Sequence, residues 1–355
     1  MSLIHNYSSI LSYNKKVLKI KKLRKITPDK KRKVLPLSVV LIFVFTALIN
    51  VSFLSSYSQE TKNKKISHAV AVSAISIAVT VQDKKGSYIN DLTKADFSIY
   101  ENDDKQDITY FNHDFKAPLS LTILLDVSGS MAIQDKLKES KKSLKYLVTS
   151  LLDLDDEFSL LIFADGEVEV AMNFSNNKNY FLEVLESTEA YGQTALNDAV
   201  AVTPEFANKG DSEKRAILLI TDGIENDSQC SHYQAVEIAR RVDIPIYTIG
   251  YKIPFSDQYL KKYKHSPSLT SSGIVYSLER FSRATGGKAF FINQAEELKT
   301  ALREIKKELG YQYIIGYTSY RNPENEYREI KVTTSNKKYK VRAREGYYSG
   351  EKKSP

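Results

Sequence analysis

The sequence predicts an α/β fold: a doubly wound, mostly parallel sheet inserted in a β-sandwich built from the N- and C-terminal flanking strands. Three observations carry this reading. First, Thr122–Leu125, Ala216–Ile220 and Ile244–Ile249 are apolar or β-branched runs without alternation, the pattern of strands covered on both faces. Second, segments of helical period separate these runs, so strands alternate with helices and parallel pairing follows. Third, the strand period of two occupies the chain before Leu119 and returns after Gly310. Neither flank alone has enough strands to bury a two-sided core, so the two are expected to close one sandwich together.

Residues 68–118 supply the first half of that sandwich. Ala69–Val81 alternates through Val70, Val72, Ile75, Ile77, Val79 and Val81, and Asp83-Lys84-Lys85-Gly86 is a turn signal. Phe97–Tyr100 and Asp107–Phe111 are strands joined through Glu101-Asn102-Asp103-Asp104. This acidic turn lacks the Asp-x-Asp-x-Asp-Gly spacing of a calcium loop and reads as a solvated hairpin.

Residues 119–310 form the central domain. Leu137, Leu144, Leu147, Val148 and Leu151 mark an amphipathic helix beginning near Gln134. Asp156–Phe163 and Glu167–Phe174 are strands joined by Ala164-Asp165-Gly166. Helices are expected at Tyr180–Leu185 and at Ala195–Ala207, the second kinked or ended by Pro204. Further helices lie at Gln234–Val242, Val275–Ala284 and Glu296–Leu309, with a strand at Ala289–Ile292. Tyr251–Gly273 fits neither period and reads as a surface insertion or a partner-contact loop. Residues 311–348 complete the sandwich through Tyr311–Tyr317, Arg328–Thr334 and Tyr339–Ala343, leaving 349–355 as a tail.

Length and charge bound the function. The 355 residues suffice for two or three domains with full cores. The net charge of +8 is concentrated in residues 1–33, where eleven Lys or Arg face one acid, Asp29. The remainder is close to neutral, and no arginine-rich face or zinc-finger spacing points to nucleic acid. Residues 34–54 are apolar and long enough to span a bilayer. With the basic leader kept inside, everything after this segment is expected outside. It reads as an uncleaved anchor, or as a signal peptide cut before Gln59; residues 59–67 are a charged linker. The lone Cys230 forms no intramolecular disulfide, so the fold rests on its core.

The candidate site begins at Asp126-Val127-Ser128-Gly129-Ser130, directly after the first buried strand. In open α/β sheets, ligands sit at the carboxyl ends of the strands. Asp126, Ser128 and Ser130 present hard oxygen donors there, suited to Mg²⁺ or Ca²⁺ rather than zinc. Gly192-Gln193-Thr194-Ala195-Leu196 adds a hydroxyl in a loop before a helix. Ala216-Ile217-Leu218-Leu219-Ile220-Thr221-Asp222-Gly223 is a second buried strand ending in an aspartate.

Together these stretches resemble the von Willebrand factor type A fold and its metal-ion-dependent adhesion site. That pattern, Asp-x-Ser-x-Ser with a distant Thr and a distant Asp, falls on Asp126, Ser128, Ser130, Thr194 and Asp222. The flanks resemble the VWFA-related family described from acidobacteria. The likeness lies in Asp91-Leu92-Thr93-Lys94-Ala95-Asp96-Phe97, Gln106-Asp107-Ile108-Thr109, Tyr313-Ile314-Ile315-Gly316-Tyr317 and Val341-Arg342-Ala343-Arg344-Glu345-Gly346-Tyr347-Tyr348. Gln193 departs from the A-domain pattern, which often has a second glycine there. The resemblance implies Mg²⁺, or Mn²⁺ or Ca²⁺, held by Ser128, Ser130 and Thr194, with Asp126 and Asp222 acting largely through water. It implies a protein partner whose Asp or Glu carboxylate completes the ion's coordination. It also implies a last helix that slides when ligand binds, against which stands a static core helix.

Other classes fit less well. A serine hydrolase would need Gly-x-Ser-x-Gly around Ser128, and His5, His68, His113, His232 and His265 form no motif. A chelatase-like or ATPase-linked subunit sits badly with the leader, and no Gly-x-x-x-x-Gly-Lys-Ser/Thr is present. The reading is therefore a non-enzymatic adhesion-type module; the alternative is a structural subunit of the envelope.

Overall fold

The computed structural model describes residues 18–19, 73–254, 271–320 and 326–349. The chain order of the strands is β1 (Leu18–Lys19), β2 (Ser73–Gln82), β3 (Phe97–Glu101), β4 (Asp104–Gln106), β5 (Ile108–Asn112), β6 (Leu119–Asp126), β7 (Glu157–Ala164) and β8 (Glu167–Ser175). They continue as β9 (Lys214–Thr221), β10 (Ile246–Tyr251), β11 (Ala289–Ile292), β12 (Tyr313–Ser319), β13 (Tyr327–Thr334), β14 (Lys340–Arg342) and β15 (Gly346–Tyr348). The helices are α1 (Lys136–Tyr146), α2 (Lys178–Ser187), α3 (Leu196–Ala207), α4 (His232–Ala239), α5 (Ser271–Thr285) and α6 (Ala295–Gly310).

The central sheet has the order β1-β8-β7-β6-β9-β10-β11. Pairing from β7 through β6, β9 and β10 to β11 is parallel, and only the hairpin strand β8 runs antiparallel to its neighbour β7. Burial explains the unbroken apolar runs: all eight residues of β6 and all six of β10 are inaccessible. Side chains alternate between two apolar layers. Leu121, Ile123 and Leu125 pack with α1, α2 and α6 on one face. Leu124, Leu161 and Ile217 pack with α3, α4 and α5 on the other. From β6 the chain steps first to β7 and later returns to β9 on its opposite flank. That reversal places the carboxyl ends of β6 and β9 side by side, the position where doubly wound sheets bind ligands.

The flanking strands form two four-stranded sheets, β14-β2-β12-β5 and β15-β13-β3-β4. Each sheet draws strands from both ends of the chain, so neither flank closes alone. Between them lie Ile77, Val79 and Val81 from β2, Ile99 from β3, Tyr313 and Ile315 from β12, and Ile330 from β13. The buried Glu101 carboxylate ties the sheets together. It accepts from the Tyr317 hydroxyl at 2.6 Å and the Tyr347 hydroxyl at 2.9 Å, and pairs with Arg328 at 3.4 Å. The acidic turn after Glu101 is the hairpin between β3 and β4, with Asn102 and Asp103 at φ 48° and 66°. Two consecutive positive φ values are what a tight hairpin of the right twist requires.

Element boundaries differ from expectation where backbone chemistry intervenes. The first helix starts at Lys136, two residues late, because Gln134 and Asp135 adopt left-handed conformations, φ 58° and 56°. Pro204 lies within α3 without ending it, three residues before the last helical position. The strand expected from Ile244 begins at Ile246, since Pro245 has no amide hydrogen to give a ladder. Of the Tyr251–Gly273 segment, 255–270 lie outside the described residues, as do the apolar segment 34–54 and the linker 59–67. Among the described residues, no helix is long and apolar enough to cross a membrane.

Candidate functional site

β6 ends on Asp126 and β9 ends one residue before Asp222, and both carboxylates are fully buried. Each is oriented by its own loop. Asp126 Oδ1 accepts the Ser128 amide at 2.9 Å, and Asp222 Oδ1 accepts the Ile224 amide at 3.2 Å. These are turns in which an aspartate receives an amide two residues on. Asp126 Oδ2 accepts the Thr221 hydroxyl at 2.6 Å, which ties the two strand ends together. Asp222 Oδ2 accepts the Lys136 ammonium at 2.7 Å.

The three hydroxyls come from two loops. The Ser128 and Ser130 oxygens lie 3.1 Å apart, the first buried and the second half-buried. Thr194 is buried, and its loop is fastened on both sides. Toward β6, Gly192 O accepts the Gly129 amide at 3.0 Å and Val127 O accepts the Tyr191 amide at 2.8 Å. Toward β9, Thr194 O accepts the Asn226 amide at 3.1 Å while the Thr194 amide donates to Asn226 Oδ1 at 2.8 Å. Asp165, in the hairpin between β7 and β8, holds Gln193 by both backbone groups, at 2.9 and 2.7 Å. Gly192 is required here: its φ is +66°, and an added Cβ would stand 2.1 Å from Asp165 Oδ1.

Electrostatics favour a cation at this spot. Burial, and then the neighbouring Asp222 carboxylate, push Asp126 up to about 7. A carboxylate taken from water beside another resists ionisation unless positive charge is supplied. The donor set consists of carboxylate and hydroxyl oxygens, which suits a hard ion such as Mg²⁺ or Mn²⁺. Among the described residues, no group of three or more His, Cys, Asp or Glu is placed to hold a metal.

Direct contacts join Asp126 to Ser128 and Ser128 to Ser130, whereas Asp222 is tied in through its neighbour Thr221, whose hydroxyl donates to Asp126; the Thr194 loop is fastened to the loops after both strands. Three contributors were invisible as site residues: Lys136, Thr221 and Asp165. The loop after Asp222 is likewise ordered by a half-buried carboxylate. Glu225 Oε1 accepts the Asp227 and Ser228 amides at 3.1 and 2.9 Å, and Oε2 accepts the Asn197 amide at 2.9 Å. Cys230 follows as the residue before the capped start of α4, its thiol pushed up by burial and by Asp198.

A mostly parallel sheet of this order, covered by helices on both faces, defines a doubly wound α/β domain with its candidate site across two central strand ends. Residues 120–289 match the von Willebrand factor type A domain, so the chain carries such a domain within its sandwich. An uncharacterised protein of Borreliella burgdorferi is 23% identical over 233 residues, 62% of this chain and 63% of that one. A UPF0353 protein of Mycolicibacterium gilvum is 22% identical over 227 residues, 58% of this chain and 66% of that one. The chain thus spans a little under two thirds of the length of these relatives. Among solved structures, BatB from Bacteroides thetaiotaomicron is 21% identical with a TM-score of 0.41, covering 54% of this chain and 98% of that one. The pilus adhesin SpaC from Lactobacillus rhamnosus GG is 12% identical with a TM-score of 0.45, covering 75% of this chain and 49% of that one.

Proposed function

We propose that the chain is an extracytoplasmic, adhesion-type binding module, in which a divalent ion at Asp126, Ser128, Ser130, Thr194 and Asp222 receives a carboxylate from a protein partner. The observation that carries this is the buried pair of aspartates beside the Ser128–Ser130 hydroxyl pair. Ser128 and Ser130 would hold the ion directly together with Thr194. Asp126 and Asp222, each oriented by a loop amide, would act largely through water. The bound ion supplies an open coordination position; the chain supplies a rigid, mostly buried cradle at its floor.

Turnover is not part of the reading. The Ser128 hydroxyl lies 3.1 Å from the Ser130 hydroxyl, and Asp126-Val127-Ser128-Gly129-Ser130 is not the Gly-x-Ser-x-Gly turn that presents a hydrolase nucleophile. The basic leader and the apolar segment 34–54 support an anchored module facing outward, or a secreted one after cleavage. A structural envelope subunit, with the ion merely stabilising the loop, is the alternative.

Capture from envelope extract tests the proposal. Wild-type protein in Mg²⁺ is expected to retain a partner that is lost in chelator and lost with Asp126→Ala. Retention that ignores both changes would refute metal-dependent recognition.

A further inference from the structure

We propose that Lys136 is a resident countercation of this site: it neutralises Asp222 when no divalent ion is bound, and it sets how tightly an ion is held. The inference rests on the reading of the five oxygen donors as a metal cradle, and it adds a residue outside that set.

Lys136 is buried to 5% exposure, and its ammonium lies 2.7 Å from the wholly buried Asp222. Other lysines of the same helix, Lys138 and Lys142, are exposed in the ordinary way. The difference is built by the backbone. Gln134 and Asp135, neither a glycine, both take positive φ just before the helix begins. Left-handed residues in succession are costly and persist where the surroundings demand them. Here they follow the turn that opens at Gly129, kinked at Ile133 and Gln134, and lead into Lys136, the first helical residue, whose side chain returns to the strand ends.

Charge then decides the consequence. Asp126 is hydrogen-bonded by the Ser128 amide and the Thr221 hydroxyl, neither of them a cation. Counted with both carboxylates ionised, the form that would hold an ion, two carboxylates and one ammonium give the metal-free cradle one negative charge; a divalent ion makes it one positive charge. Without Lys136 the same states would carry two negative charges and none. Lys136 therefore keeps the metal-free domain folded, weakens the hold on the ion, and leaves the loaded site positive toward a carboxylate. A buried ammonium facing a buried carboxylate is costly to break from either side.

The test compares full-length wild type with Lys136→Met and Lys136→Arg. Mn²⁺ alone is titrated and followed by its paramagnetic resonance, and melting temperatures are read in EDTA and in saturating Mg²⁺. Lys136→Met is expected to bind Mn²⁺ about tenfold more tightly or better. It should melt well below wild type in EDTA and regain much of the loss in Mg²⁺, while Lys136→Arg tracks wild type. Lys136→Gln, which can still hydrogen-bond Asp222, covers a failure of the methionine to be accommodated and should fall between. Equal destabilisation in both buffers with unchanged Mn²⁺ affinity would mean a packing role only and overturn the proposal. Mn²⁺ binding by Lys136→Met but not by wild type would uphold the role of Lys136 and refute a metal-loaded native site. Binding by no variant would refute both.

Discussion

His232 begins α4 with its ring 4.6 Å from that of Phe281 and 6.1 Å from that of Tyr276, both ring nitrogens buried without a hydrogen-bond partner. Burial, and then Arg280, bring its pKa down to about 4, against 6.5 for a free imidazole. The unfolded chain therefore takes up a proton that the folded chain refuses. The stability that goes with the neutral ring is complete above 6.5 and is lost as pH falls toward about 4. His232→Phe keeps a ring in place and removes the titration, so its melting temperature should fall less steeply than wild type over that window. Parallel slopes would contradict the assignment. At this scale the sequence was a partial guide. Asp126, Ser128, Ser130 and Asp222 were legible because short motifs follow buried strands. Lys136 was not, since it stands among several helix lysines and only a left-handed turn, which non-glycine residues conceal, singles it out. Thr221 read as one more strand residue; its role comes from cross-strand register, which no single segment encodes.

Among the elements, α6 bears most on mechanism. Leu298, Leu302, Ile305 and Leu309 form the buried stripe expected for it. The sequence did not reveal what its far end does. Glu308 is wholly buried and accepts the Tyr247 hydroxyl of β10 at 2.6 Å and the Tyr88 hydroxyl at 3.0 Å, and it pairs with Arg342 of β14. This carboxylate joins the central sheet to the sandwich, so a one-turn slide of α6 would break three contacts at once. The geometry favours the static helix. Hydrogen exchange over residues 296–317 is expected to stay unchanged when Mg²⁺ is added; faster or slower exchange there would revive the sliding helix. Glu308→Ala removes the buried carboxylate that Tyr247, Tyr88 and Arg342 share and should cost about 3 kcal/mol in urea unfolding. A loss well under 1 kcal/mol would show that water replaces the carboxylate without penalty.

For the whole molecule, the architecture was written in periodicity. Unbroken apolar runs gave the central sheet, and the return of a two-residue period gave the sandwich strands. Their mixing across both sheets follows because Ile77 and Val79 need Tyr313 and Ile315 to be covered. One feature bears on topology. β1 pairs in parallel with Val168 and Glu169 at the sheet edge, bringing Leu18 and Lys19 to the central domain. A leader retained inside the cell cannot make that pairing. Protease added to intact cells should digest the central domain if the chain faces outward, and protection of that domain would reverse the assignment.

The central claim is a divalent ion at the ends of β6 and β9. Its most direct test is calorimetric titration of Mn²⁺ into metal-stripped full-length protein, wild type against Asp126→Ala and Thr194→Ala. Wild type should bind one ion per chain, with binding abolished by the first change and weakened about tenfold or more by the second, the far-ultraviolet circular dichroism of all three remaining alike. Wild-type and Asp126→Ala isotherms that coincide would contradict it.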